Sequence, residues 1–189
     1  MEISISSENP QKMPETNVVS FHSHVENPKY LADKWDIYYH LPFCKNWDLN
    51  SYVIIMKNVD TAEKLIAIND EIPEIAVKQC MLFVMKSGIT PRWEDPQNKN
   101  GGCFSFKVPN KNVVSVWRTM LFSLCGETLF LDAKYNSLIA GITVSPKKNF
   151  CIVKIWMKNC TVQDPNLIIP IPNLVVNGCL FRKHETGGE

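Results

Sequence analysis

Apolar residues recur along the chain in short runs, and from residue 34 onward most of these runs are strand-like. Some alternate between apolar and polar positions, as residues 103–108 do, which is typical of a strand with one buried face. Others are continuous or rich in β-branched residues, which is typical of a strand inside a sheet. The pattern predicts strands at residues 34–39, 52–56, 80–85, 103–108, 142–145, 150–156 and 174–176.

Helical periodicity replaces strand periodicity in three segments, residues 60–70, 113–124 and 133–138. The first begins with Asp60 and has Glu63 three residues later, which is the spacing of a capped helix start. The second carries its apolar residues on one side and is followed by Gly126, a residue well placed to end it.

The order of these elements predicts a single α+β domain. Strands follow one another in hairpin order with helices inserted between some of them, which favours a mostly antiparallel sheet. Such a sheet can carry helices on one face and leave the other face for a ligand. We place the domain at residues 29–181, between an N-terminal tail at 1–28 that is expected to be disordered and a polar C-terminal tail at 182–189.

Composition narrows the range of functions. The net charge is +1, so a strongly basic nucleic-acid coat protein is excluded and any phosphate binding must come from a local cluster of cations. The seven cysteines include no Cys-x-x-Cys pair, which favours reduced thiols in a cytoplasmic or nuclear protein over a zinc site or a disulfide framework. No membrane-spanning segment or signal peptide is indicated.

No arrangement of residues indicates an enzyme. The sequence shows no nucleophile–base pair, no metal-ligand cluster and no phosphate-cradling glycine loop. We therefore expect a non-catalytic protein that needs no cofactor.

A loop rich in Pro, Asn and Gly at residues 91–102 carries the most informative chemistry, because it contains Trp93 directly followed by Glu94. Guanine presents two N–H donors on its Watson–Crick edge, and one carboxylate can accept both while an aromatic ring stacks on the base. An adjacent Trp and Glu on a loop therefore provide the groups that are needed to recognise guanine. The alternative is that Trp93 anchors the core and Glu94 is a solvated loop charge.

Further tryptophans and lysines extend this hypothesis. Trp47 lies on another loop, so two indoles could enclose one base, and a cationic base such as N7-methylguanosine gains additional attraction from the rings. On strand 150–156, Lys154 and Trp156 share one face, and Lys147 and Lys148 occupy the preceding turn, where they could bind phosphates. The alternatives are packing for the tryptophans and solvated surface charge for the lysines.

The sequence resembles the translation initiation factor 4E family, the messenger-RNA cap-binding proteins, from about residue 30 to residue 156, with a thinner similarity at 172–178. The matching residues are Lys34-Trp35, Lys45-Asn46-Trp47, Asp60-Thr61-x-Glu63, Gly88-Ile89-x-Pro91-x-Trp93-Glu94-Asp95, Asn98-Lys99-x-Gly101-Gly102, Trp117, Gly126-Glu127 and Ile155-Trp156.

The resemblance implies a curved antiparallel sheet with helices on its convex back and the cap in its concave face. It implies that Trp47 and Trp93 stack on the cap base, that Glu94 and the backbone N–H of Trp93 read the guanine edge, and that Trp156 touches the N7-methyl group.

Several positions depart from the family pattern around the phosphates. Lys147 stands where the family has an arginine, Ile152 replaces a phosphate-binding lysine, and Cys103 replaces a basic residue. We therefore expect a rearranged phosphate-binding site formed by Lys147 with Lys154 or Lys148. Arg182 and Lys183 can add further positive charge to this site. The third phosphate should contribute less affinity than in typical members.

The residues expected on the convex face of the sheet also depart from the family pattern. The resemblance implies that a 4G-type scaffold or another peptide-motif partner binds there, on a surface that we predict includes Ala62, Ile66, Trp117, Arg118 and Phe122. Ile66 stands where the family has a tryptophan, and Arg118 and Thr119 replace an apolar–acidic pair. We expect an altered partner or weak binding to the usual Tyr-x-x-x-x-Leu peptides.

Three functions follow as hypotheses. The first is a cap-binding protein, monomeric within its complex, that hands capped messages to a scaffold during translation initiation in the cytoplasm. The second is a cap-binding repressor that does not bind the scaffold, and the third is a protein-interaction paralogue with weak cap affinity. A nuclear pool is an additional expectation.

Overall fold

The computed structural model describes residues 27–41 and 43–184. The strands are β1 (Tyr30–His40), β2 (Val53–Thr61), β3 (Met81–Lys86), β4 (Gly102–Pro109), β5 (Ile139–Pro146), β6 (Phe150–Met157) and β7 (Leu180–Lys183). The α-helices are α1 (Ala62–Glu71), α2 (Glu74–Gln79) and α3 (Val113–Cys125). Short 3-10 turns lie at Leu49–Ser51, Ala133–Leu138 and Pro165–Leu167.

The strands form one seven-stranded sheet in the order β2-β1-β3-β5-β6-β4-β7, with antiparallel pairing throughout. The predicted α+β class and mostly antiparallel sheet are therefore confirmed. None of the helices in the described part of the chain is long and apolar enough to cross a membrane.

The two faces of the sheet carry different cores. The larger core joins one face to all three helices and includes Leu65 of α1, Val77 of α2 and Trp117 of α3. The smaller core, on the opposite face, contains side chains such as Phe83 and Trp156 but no helix residue. The helix-free face is therefore the one on which a ligand can reach the sheet.

The last strand differs from the prediction. Residues 174–176 form no strand; Leu174 instead follows a turn and packs into the larger core, where it is buried. A run of three apolar residues is compatible with either a strand or a buried loop, and here the segment is a buried loop. The sheet instead ends with β7, which brings Arg182 and Lys183 into regular structure although the sequence placed them in a polar tail.

Helix α1 begins one residue later than expected. Its cap is Thr61, whose hydroxyl accepts a hydrogen bond from the backbone N–H of Lys64 at 3.3 Å. Asp60, the predicted cap, instead pairs with the Lys64 ammonium at 2.7 Å. Glu63 reaches back to the backbone N–H of Lys29 at 3.2 Å, so its carboxylate fastens the start of β1 to this helix.

Helix α2 was not predicted, because its six residues are too few to show a helical period. Helix α3 agrees with the predicted span to within one residue and ends where Gly126 follows it. The predicted tail segments at 1–26 and 185–189 lie outside the described residues.

Candidate functional site

The loop between β3 and β4 is held from within by two side chains. The Asp95 carboxylate accepts hydrogen bonds from the backbone N–H and the hydroxyl of Thr90, at 2.8 and 2.7 Å. The fully buried Asn98 amide donates to the carbonyl oxygens of Thr90 and Arg92, at 3.0 and 2.7 Å. These bonds close the loop around its own backbone, so Trp93 and Glu94 at its tip have a fixed base.

Two glycines allow this loop to rejoin the sheet. A side chain at Gly101 would collide with the carbonyl oxygen of Met157, and a Cβ at Gly102 would lie 2.6 Å from the carbonyl oxygen of Arg182. The Gly-Gly pair is therefore required by close backbone approach at the points where β4 meets β6 and β7.

Trp93 and Glu94 project from the loop toward solvent, and Trp93 is 40% exposed. Glu94 Oε1 lies 3.3 Å from Nη2 of Arg92. Partial burial opposes ionisation of Glu94, but a hydrogen bond from its own backbone and the Arg92 guanidinium together hold its pKa below the ordinary value. Glu94 is therefore a carboxylate at neutral pH, with acceptor capacity in addition to that used by Arg92.

Trp47 lies flat against a histidine. The indole and the His40 imidazole are parallel, with an interplanar angle of 1° and ring centroids 4.2 Å apart. His40 is in turn fixed by its Nε2, which lies 2.8 Å from the carbonyl oxygen of Asn46. Trp47 remains 51% exposed, so one face of the indole is backed by His40 while much of the residue stays open to solvent.

Trp156 lies on the helix-free face of the sheet. It is 7% exposed, and its indole N–H donates to the Thr143 hydroxyl at 2.8 Å across the β5–β6 pair. This bond fixes the ring orientation and satisfies the one polar atom of a buried indole.

These three tryptophans line one cavity of about 200 Å³, which we call the aromatic cavity. Its walls are Trp47, Tyr52, Met81, Phe83, Pro91, Arg92, Trp93, Glu94 and Trp156. The structure thus brings together all four residues that the sequence suggested for base binding.

A second, more polar cavity of about 370 Å³ shares Trp93 and Trp156 with the first. Its other walls are Cys103, Ser105, Lys154, Arg182, Lys183 and His184, and we call it the basic cavity. Lys154 comes from β6 and the two neighbouring cations come from β7. An anion attached to a ligand in the aromatic cavity would therefore meet positive charge on the adjoining side.

His184 fastens the loop to the sheet behind this cavity. Its Nδ1–H donates to the carbonyl oxygen of Asn98 at 2.7 Å, which leaves Nε2 to accept from the Cys103 thiol at 3.0 Å. Burial lowers the pKa of His184, and the charge of Lys154 adds to this, whereas the Asn98 carbonyl opposes it. Burial also raises the pKa of Cys103 to about 11. The pair is therefore neutral, and a protonated buried thiol is not a nucleophile.

Two of the predicted phosphate ligands lie elsewhere. Lys147 and Lys148 are exposed on the β5–β6 turn and line neither cavity. The turn is at the opposite end of β6 from Trp156, about 20 Å away at the usual rise of a strand. Only Lys154 among the three predicted lysines is beside the aromatic cavity, because alignment along a sequence does not account for the direction in which a hairpin extends.

The family model for eukaryotic initiation factor 4E matches residues 30–173, which is more than half of the chain. The chain belongs to the initiation factor 4E family. Membership confirms the family resemblance that the sequence motifs indicated.

Relatives within the family are similar at modest identity. Eukaryotic translation initiation factor 4E-2 of Schizosaccharomyces pombe is 28% identical over 139 residues, which cover 71% of this chain and 56% of that protein. Eukaryotic translation initiation factor 4E of Saccharomyces cerevisiae is 27% identical over 164 residues, covering 84% of this chain and 75% of that protein. The chain thus spans little more than half the length of the fission yeast relative.

Solved structures of family members share the fold. Caenorhabditis elegans eIF4E-3, in a complex with the 4E-binding protein Mextli and a cap analogue, has a TM-score of 0.69 at 21% identity, covering 84% of this chain and 94% of that one. A schistosome eIF4E, in a complex with m7GpppA and 4E-BP, has a TM-score of 0.61 at 26% identity, covering 72% and 75%.

The predicted partner surface of this initiation factor 4E protein is only partly exposed. Ile66 on α1 and Phe122 on α3 are exposed, at 51% and 40%, whereas Trp117 is 1% exposed and packs in the larger core. Trp117 therefore supports the surface from beneath instead of forming part of it. A groove between α2 and α3 is lined by Glu74, Lys78, Lys111, Val114, Ser115, Arg118, Thr119 and Phe122.

Sequence reasoning missed several residues at the site. Tyr52 and Arg92 line the aromatic cavity, His40 supports it by stacking on Trp47, and His184 lines the basic cavity. Arg92 carried a usable signal, since it is two residues from Glu94 on the same loop. His184 carried none, because its position depends on the pairing of β7 with β4.

Proposed function

We propose that this chain binds the 7-methylguanosine cap of messenger RNA and acts in translation initiation in the cytoplasm. The observation that carries the proposal is that Trp47, Trp93, Glu94 and Trp156 line one cavity, and that the adjoining cavity is lined by a cluster of cations. Two exposed indoles and a carboxylate in one cavity leave apolar surface and an acceptor open to a planar ligand. Purines with N–H donors on one edge fit that combination.

Each part of the cap has a matching group. Stacking contributes about 1–3 kcal/mol per base–aromatic contact, and the positive charge of the methylated base adds roughly 0.5–2 kcal/mol with the ring quadrupole. Glu94 accepts from N1–H and the 2-amino group of guanine, and the Trp93 backbone N–H meets O6. Trp156 supplies an apolar contact for the N7-methyl group. The phosphates extend into the basic cavity toward Lys154, Arg182 and Lys183.

Titration with m7GTP and GTP tests the proposal. Trp47 and Trp93 are exposed, so a base stacking on them should quench tryptophan fluorescence strongly for m7GTP and weakly for GTP. A variant with Trp47→Ala and Trp93→Ala together should lose m7GTP binding, which titration calorimetry must measure because the reporting indoles are removed. Equal quenching by m7GTP and GTP, or none by either, would reject cap binding and favour the paralogue hypothesis.

Lys154 should matter for the phosphates, whereas Lys147 should not. We expect Lys154→Met to weaken m7GTP binding about fivefold and to flatten its salt dependence, because one cation near the triphosphate is lost. Lys147→Met removes an equal charge from the distant turn and serves as the matched control. Isothermal titration over a salt series with m7GDP and m7GTP measures both effects, and a Lys147 variant as weak as the Lys154 variant would contradict the assignment.

We also propose that the helical face receives a peptide-motif partner, and that the partner differs from the usual one. Ile66 is exposed where the family resemblance implies a tryptophan, and tryptophans frequently dominate such interfaces. Binding to a Tyr-x-x-x-x-Leu peptide should therefore be micromolar or weaker. Failure to bind any scaffold, with cap binding intact, would favour the repressor hypothesis.

A substitution that restores the indole tests this explanation. Ile66→Trp should strengthen peptide binding about tenfold, since a large aromatic anchor would then project from α1. Ile75→Trp, at a similarly exposed position on α2, is the matched control and should change little. Fluorescence anisotropy with a labelled peptide measures both, and nanomolar binding by the unmodified protein would refute the prediction.

A further inference from the structure

One wall of the aromatic cavity carries a positive charge. The Arg92 guanidinium lines the cavity together with Glu94, and its Nη2 is 3.3 Å from the Glu94 carboxylate. An arginine side chain stays protonated at all physiological pH values, so this charge is permanent. Any base that enters between the indoles therefore meets a carboxylate that is already paired with a cation.

The geometry leaves room for both partners on Glu94. The contact between the two side chains joins one Arg92 nitrogen, Nη2, to Oε1, and a carboxylate has about four acceptor positions. A guanine edge can therefore bind Glu94 without displacing Arg92. The Arg92 backbone would also stay in place, since its carbonyl oxygen accepts from the buried Asn98 amide at 2.7 Å.

The pairing changes what the site offers to a charged base. Glu94 alone would attract a cationic base more strongly than a neutral one, whereas a Glu94–Arg92 pair has almost no net charge. The guanidinium also repels a cationic base directly, with a strength that falls with distance and with solvent screening. Arg92 and Glu94 are both partly exposed, so the repulsion is modest and can be measured as a ratio of affinities.

Resting on the proposed cap-binding function, we propose that Arg92 determines how strongly this site prefers methylated, cationic guanine over unmethylated guanine. With Arg92 present, the preference rests on the tryptophan rings. Without it, the unpaired charge of Glu94 adds to the preference.

The test compares the ratio of the Kd for GTP to the Kd for m7GTP among variants. Both nucleotides carry the same triphosphate, so attraction of the phosphates to Arg92 cancels in the ratio and only the charge of the base remains. Arg92→Met should raise the ratio about three- to tenfold. Arg92→Lys keeps a cation on this wall and should leave the ratio near that of the wild type.

Arg182→Met is the matched control, because Arg182 lines the basic cavity and does not line the aromatic one. It should weaken both nucleotides equally and leave the ratio unchanged. Thermal unfolding of each variant checks that the fold is retained. An unchanged or lowered ratio in Arg92→Met would overturn this inference alone, whereas a wild type that binds neither nucleotide would overturn the proposed function together with it.

Discussion

Replacing Trp93 with alanine is expected to weaken m7GTP binding by about 10- to 5,000-fold. One stacked indole contributes about 1–3 kcal/mol, and its attraction to a cationic base contributes roughly 0.5–2 kcal/mol more. The fold should tolerate the change, because Trp93 is an exposed loop residue outside both cores. Fluorescence cannot be used when the reporting indole is removed, so titration calorimetry or retention on m7GTP resin should measure the loss.

Two variants distinguish the loss of the aromatic ring at position 93 from the loss of any exposed aromatic residue. Trp93→Phe keeps an aromatic face and should retain an intermediate affinity. Tyr30→Ala removes an exposed aromatic residue at the start of β1 and should bind like the wild type. If Trp93→Ala still binds m7GTP within a fewfold of the wild type, the aromatic cavity is not where the base binds.

The part of the site that the sequence predicts well is the part built by local chemistry. Pro91, Asn98 and Gly101 indicate a loop, and an adjacent Trp and Glu on that loop suggest their ligand without any knowledge of the fold. The loop folds largely on itself through Asp95 and Asn98. Local bonding of this kind means that the loop's own sequence largely determines how Trp93 and Glu94 are presented.

The parts that the sequence does not predict depend on distant pairing. His184 and Arg182 reach the site only because β7 pairs with β4, and β7 is a four-residue strand with no clear period. Lys147 is close to Lys154 in sequence but lies at the far end of a hairpin. His40 stacks on Trp47 after a turn whose geometry no local pattern specifies. In each case the relative placement of the residues is set by strand pairing or by a turn, and neither can be read from a local pattern.

Replacing Asn98 with alanine is expected to destabilise the protein by about 3 kcal/mol and to weaken cap binding although Asn98 touches no ligand. Its amide donates to the carbonyl oxygens of Thr90 and Arg92, and the variant would lose both of these hydrogen bonds, although each carbonyl keeps one backbone N–H donor. A hydrogen bond contributes about 0.5–1.5 kcal/mol, and two bonds at the upper end of that range account for the expected cost. For a chain of this size the midpoint of thermal unfolding should fall by roughly 6–12 °C.

Asn100→Ala is the matched control, since Asn100 lies on the same loop but is exposed. It should change neither the unfolding midpoint nor the affinity for m7GTP appreciably. Asn98→Ala should in addition raise the hydrogen exchange of residues 90–101, because the bonds that close the loop are lost. A variant that keeps full cap affinity while losing stability would show that Trp93 and Glu94 do not depend on this closure. Preorganisation of the loop would then have to come from its junction with β4 and β7, where Gly101 and His184 lie.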